Sequence, residues 1–134
     1  MAVIVPKSWQ NYILGLSINA VAPQDLKLRL FANNLTPTVD SVIGDMTQAA
    51  GFGYAELAMI PGSWTRTPGA PYVAAYPATT FTFTGAIGLI YGWYIVTADG
   101  LILGPCERFP LGPYNKQTNG ETIQVPPQWS MLGV

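Results

Sequence analysis

The chain contains no histidine, so its candidate chemistry falls on carboxylates, a single thiol and aromatic rings. Without imidazole, Ser-His-Asp and Cys-His activation of a nucleophile is excluded, and so are zinc sites held by histidine. Asp40 with Asp45, and Glu107 with Asp99, are the carboxylate pairs that glycoside hydrolysis would require. Seven acidic residues scattered over 134 positions produce such pairs by chance, and their expected role is as solvated loop carboxylates and a rim ion pair. DSVIGD, which contains Asp40 and Asp45, lacks the dense oxygen spacing of calcium loops. GFGYAE has two glycines but neither the spacing nor the strand-to-helix context of a phosphate-binding loop. The expectation is a protein that is not an enzyme, with no catalytic, cofactor-binding or metal-binding residues and no cofactor.

Cys106 is the only cysteine, so no intrachain disulfide can form, and its expected place is in the core as a small hydrophobe. Among the tryptophans, Trp64 and Trp93 are expected in the core, whereas Trp129, in a tail opened by Pro126-Pro127, suits an interface. Glu107 and Arg108 are adjacent, so in a strand they point to opposite faces. Each is expected to meet a charge on a neighbouring strand or subunit.

The elements that must position these residues read as mostly β. PKSWQNYILGLSIN places Trp9, Tyr12, Ile13 and Leu16 on one stripe of a short helix. DLKLRLFANN alternates, with Leu26, Leu28 and Leu30 on one face and Lys27, Arg29 and Phe31 on the other. Thr36 to Gly53 has no period and reads as a surface loop with room for one helical turn. YAELAMI, SWTRT, YVAAY and TTFTFT then resume the β signal, with Phe81 and Phe83 inward and Thr80, Thr82 and Thr84 outward, and with proline and glycine between the runs.

GAIGLIYGWYIVTADGLILGPC, from Gly85 to Cys106, is apolar enough to raise the question of a membrane span. Asp99-Gly100 answers it as a type I′ hairpin between two β-rich arms, with Pro105 breaking or bulging the second. Both arms are nearly continuous in apolar residues, so both faces need cover. A second sheet would supply one face; the N-terminal helix or another subunit would supply the other. Asn119-Gly120 reads as a second hairpin, and two prolines end the sheet before the tail.

Composition sets further limits. Apolar residues make up 49% and charged residues 10%, with a net charge of −1, against roughly 25% charged in ordinary globular chains. The six basic residues are scattered, so nucleic acid is not an expected partner. MAVIVP is too short and lacks the basic start of a signal peptide, so the expectation is a protein made and kept in the cytoplasm, or assembled there into something larger. One domain spanning 1–134 is expected, with an N-terminal arm (1–5) and a C-terminal tail (127–134), and no membrane association.

The ordered series LRLFANNLTP, GYAELAMIPGSWT, AAYPATTFTFTG, YGWYIVTADGLILGPCERF and GPYNKQTNGETIQVPP resembles a widespread family of small tailed-bacteriophage proteins, cyanophages included. These are capsid decoration, or cement, proteins with a jelly-roll fold. The resemblance runs from Leu26 to Pro127. It departs at Pro105-Cys106, where members often carry another tryptophan or an alanine pair, and it is weak over 1–25 and 127–134. It implies an antiparallel jelly-roll β-sandwich, to which the residue pattern adds a short N-terminal helix and a Pro-started C-terminal tail. It also implies a structural virion protein on the capsid exterior that binds the major capsid protein and bridges capsomers.

The expected interface is Val3, Ile4 and Val5, able to add a strand to a partner's sheet edge, with Trp129, Met131 and Leu132 of the tail. Self-association as a homotrimer, or failing that a dimer, would cover the apolar arms around Asp99-Gly100. A module attached to the head or tail that binds host-surface glycans through exposed tryptophans is the alternative.

Overall fold

The computed structural model describes residues 3–131. One helix, α1 (Lys7–Ser17), precedes eleven strands: β1 (Leu26–Phe31), β2 (Leu57–Met59), β3 (Thr65–Thr67), β4 (Val73–Ala75), β5 (Thr79–Thr82), β6 (Gly88–Ile90), β7 (Gly92–Thr97), β8 (Leu103–Arg108), β9 (Tyr114–Lys116), β10 (Thr122–Val125) and β11 (Gln128–Ser130). Every strand pairing is antiparallel. The strands form a four-stranded sheet in the order β2-β1-β7-β8, a three-stranded sheet β11-β4-β3, and the two ribbons β10-β5 and β6-β9. The chain is thus all-β with one short helix, and no helix among the described residues is long and apolar enough to cross a membrane.

The alternation in β1 sorts its side chains as expected. Leu28 and Leu30 enter the main core with Trp93 and Ile95 of β7, Phe81 of β5, and Ile123 and Val125 of β10. The four-stranded sheet therefore faces the β10-β5 ribbon across shared apolar side chains. Phe31 goes to the opposite face, where it meets Tyr94, Val96, Leu103 and Cys106. Thr80, Thr82 and Thr84 are exposed while Phe81 and Phe83 are buried.

All six residues of β7, and Leu103 to Cys106 of β8, are buried within this one chain. Cover for the second face comes from α1 and from the segments around it. Ser8 Oγ donates to the Leu103 carbonyl at 3.0 Å, and Trp9 packs over Gly104. Ile4, Leu35, Ile43 and Met46 close the rest. β7 and the Leu103–Cys106 part of β8 are thus covered without a neighbouring subunit, whereas Leu89 and Leu101 of the same arms stay exposed at 44% and 71%.

The hairpin at Asp99-Gly100 is built differently from the expectation. Gly100 has φ +76, but the non-glycine residues at positive φ among those described are Asn19 and Phe52. The Gly100 N–H donates to the Thr97 carbonyl at 2.8 Å, so Ala98 and Asp99 form the turn and Gly100 is the left-handed residue after it, which is not a type I′ turn. Asp99 Oδ1 accepts from the Thr97 hydroxyl at 2.7 Å and the Leu101 N–H at 3.0 Å. In β8 an extra residue opposite the Tyr94 to Val96 step produces a bulge at Gly104-Pro105, as the proline required.

Two other expectations fail. Asn119-Gly120 does not close a hairpin, because β9 pairs with β6 and β10 with β5; Gly120, at φ +92, turns the chain from one ribbon to another. The segment after Pro126-Pro127 is not a separate tail, because Gln128–Ser130 pairs with β4 and Trp129 lies edge-on to Trp9 at 5.7 Å. Leu132 lies outside the described residues.

Packing between β1, β7 and β8 leaves no room at Gly92, where an added Cβ would stand 2.2 Å from the Glu107 carbonyl oxygen and 2.5 Å from the Phe31 ring. Gly92→Ala should lower unfolding free energy by about 1–3 kcal/mol or more, read from urea titrations. Gly62→Ala, with nothing within 4 Å, should leave the midpoint unchanged.

Candidate interaction surface

The carboxylates that could have formed a catalytic pair are each engaged separately. Asp40 Oδ1 pairs with Lys7 Nζ at 2.6 Å, with both side chains well exposed. Asp45 Oδ2 accepts the Val42 N–H at 3.0 Å, holding a single helical turn at Ile43–Asp45. Glu107 Oε1 accepts the Trp93 indole N–H at 3.1 Å. Arg108 reaches Asn34 Oδ1 at 2.7 Å and the Leu35 carbonyl at 3.2 Å, and lies over the Tyr91 ring. Among the described residues, then, neither Glu107 nor Arg108 meets a charge on a neighbouring strand. Among the described residues no three His, Cys, Asp or Glu side chains cluster as metal ligands would.

The densest charged group lies on the polar side of β1. Glu56 accepts from Arg29 Nε at 2.7 Å and Lys27 Nζ at 3.1 Å. Burial pushes the Glu56 carboxyl up, but the hydrogen bonds from Arg29 and Lys27 outweigh it and hold the group below its ordinary value. Burial drives the phenols of Tyr94 and Tyr54 upward. This arrangement clamps the β1 to β2 connection.

The expected interface residues gather elsewhere. Val3, Ile4, Val5, Trp129 and Met131 line one apolar groove of about 640 Å³, completed by Gln10, Val39, Val73, Gln128 and Ser130. A second cleft of about 660 Å³ adjoins it, sharing Val73, Trp129, Ser130 and Met131 and extending to Arg66 and Tyr72. Both volumes fall within the range of ordinary ligand sites. Met131 is 39% and Tyr72 62% exposed. Behind the groove, Trp9 is buried against Trp129, and its indole N–H is the buried side-chain polar atom among the described residues that has no hydrogen-bond partner.

The arm is placed differently from the expectation that it donates a strand to a partner. Ile4 N–H donates to the Cys106 carbonyl at 2.8 Å, and the Cys106 N–H returns a bond to Ile4 O at 3.0 Å. The arm therefore extends its own sheet beside β8. Sequence reasoning missed Val39, Val73, Gln10 and Gln128 as lining residues. Their groove forms where segments distant in sequence converge, and no local period marks that.

Trp93 is buried and Trp64 half-buried against the main core, as expected. No protein-family model, curated protein or solved structure matches the chain.

Two solution measurements follow from these environments. Burial pushes the Cys106 thiol up to about 12, so the native protein should not react with a thiol reagent at pH 8 and should titrate one thiol when unfolded in guanidinium. Because the folded-state value of Glu56 lies below its ordinary 4.5, its contribution is present above that pH and is lost as pH falls through the folded value. Glu56→Gln should therefore cost no more than ~1 kcal/mol at pH 7, the pair being partly solvated, and should flatten the loss of stability below about pH 4.5 in acid-unfolding curves.

Proposed function

We propose that this chain is a structural virion protein, a decoration or cement protein with a jelly-roll β-sandwich that attaches to the outer surface of a tailed-phage capsid and bridges its capsomers. The observation that carries this reading is the apolar groove joining the N-terminal arm to β11, where five of the residues expected to make partner contacts line one surface. The sequence resemblance over Leu26 to Pro127 supplies the identity of the partner, the major capsid protein.

A ligand that binds only the assembled lattice raises the free energy needed to take it apart. Repetition over many copies makes a modest patch sufficient, and a surface with few charges costs little to desolvate. The role is binding rather than catalysis, and the carboxylates serve the fold. Assembly of the protein as a trimer or dimer on the capsid is part of the same proposal.

One observation favours a second reading, attachment to host-surface glycans. Tyr72 is exposed and Trp129 borders the same cleft with Arg66, and aromatic faces beside a polar group can stack sugars. A glycan array would show saturable binding lost in Tyr72→Ala if this reading holds.

Removing 127–134 would take β11 from its sheet, so a point substitution is the cleaner probe. Met131→Asp should keep the wild-type unfolding midpoint yet reduce the number of copies on purified heads at least several-fold, counted by cryo-electron microscopy and quantitative mass spectrometry. Heads that never carry the wild-type protein would overturn the capsid reading.

A further inference from the structure

The groove between the arm and β11 is bordered by two sheet edges, and the hydrogen-bond register says which backbone groups face it. In an antiparallel pair, alternate residues turn both backbone groups toward the partner and the intervening ones turn both away. The Tyr76 N–H donates to the Pro127 carbonyl at 2.9 Å, and Trp129 stands opposite Ala74. Pro127 and Trp129 are thus the residues bonded to β4, and Gln128 and Ser130 direct their N–H and C=O groups away from it. On the other side, Ile4 exchanges both its bonds with Cys106, so Val3 and Val5 direct theirs away from β8; the Val5 carbonyl accepts Gln10 Nε2 at 3.1 Å. Val3, Val5, Gln128 and Ser130 all line the same groove.

The lining also specifies charge. No charged side chain belongs to it, and the adjoining Lys7 and Asp40 neutralise each other. Arg66 lines only the adjoining cleft, so within the groove itself a charged occupant would be desolvated without compensation, whereas an uncharged one would match the walls.

We infer that the groove receives an extended, uncharged segment of the capsid protein, which adds as a strand to the open edge of β11 and sets alternate apolar side chains against Val5, Val73 and Trp129. The arm is thus a wall of the acceptor and the partner supplies the strand. This rests on the capsid reading for the source of the segment, while the strand-addition chemistry rests on the groove alone.

The test uses a capped TVTVTVT peptide and a copy of it N-methylated at alternate residues, titrated into the isotopically labelled full chain. Binding of the plain peptide should shift and protect from exchange the amides of Gln128 and Ser130, and N-methylation should weaken it at least tenfold. Ser130→Pro removes an outward N–H while leaving the Pro127 and Trp129 bonds to β4 in place. It should keep the unfolding midpoint and lose peptide binding and head occupancy at least fivefold.

Equal binding of the N-methylated peptide, or unchanged head occupancy of a folded Ser130→Pro protein, would overturn strand addition. Concentration-dependent self-association that protects the same amides would assign the groove to a second copy and overturn the proposal. Peptide binding by a protein absent from heads would instead defeat the capsid source and leave the acceptor chemistry standing.

Discussion

The fold depends on a strand that is apolar on both faces. Every residue of β7 is buried, with Trp93 and Ile95 committed to one cluster and Tyr94 and Val96 to the other. A sheet with such a strand at its centre cannot leave either side to water, because each buried aliphatic or aromatic side chain is worth about 1.5–3 kcal/mol. The chain meets this demand with unequal layers. A strand ribbon covers one side, and on the other a short helix, a two-bonded arm and the turn at Ile43–Asp45 together make up a patchwork roof.

That asymmetry explains what could be read from the sequence and what could not. Alternation in TTFTFT and in LKLRLF reports which face each side chain takes, because period two is a local property of the strand. Continuous apolar character in YIVT reports burial on both sides but is silent about the covering element. Three-residue strands such as Tyr114–Lys116 and Gln128–Ser130 are too short to show any period. Their partners, β6 and β4, are fixed by long-range packing, so Asn119-Gly120 looks like a hairpin and is a crossing between ribbons. The Pro126-Pro127 pair reads correctly as the end of one strand and wrongly as the end of all pairing.

The interface was legible as a set of apolar residues outside the periodic core, and its geometry was not. The side chains of Val3 and Ile4 help close the two clusters, which is a structural reason for their apolar character as well as a contact reason. The same residues present a backbone edge, and no sequence pattern distinguishes an edge that gives from one that receives. The charges of β1 were legible as the strand's polar face; that Arg29 and Lys27 both converge on Glu56, reached through the loop from Phe31, required the register of β1 with β2.

The bond between Ile4 and Cys106 joins positions 102 residues apart, and Trp9 waits still longer for Trp129. Along the chain the arm and α1 precede β8, so their bonds to Leu103 and Cys106 form only once that strand is present. Native structure here therefore depends on pairings distant in sequence, which form slowly. Before β8 is in place, Phe31 and Tyr94 lack Leu103 and Cys106 beside them and have only a partial roof in Leu35, Ile43 and Met46. The arm and helix act as a latch that β8 and β11 must arrive to engage, so the partly made sheet stays open and sticky until both strands are in place.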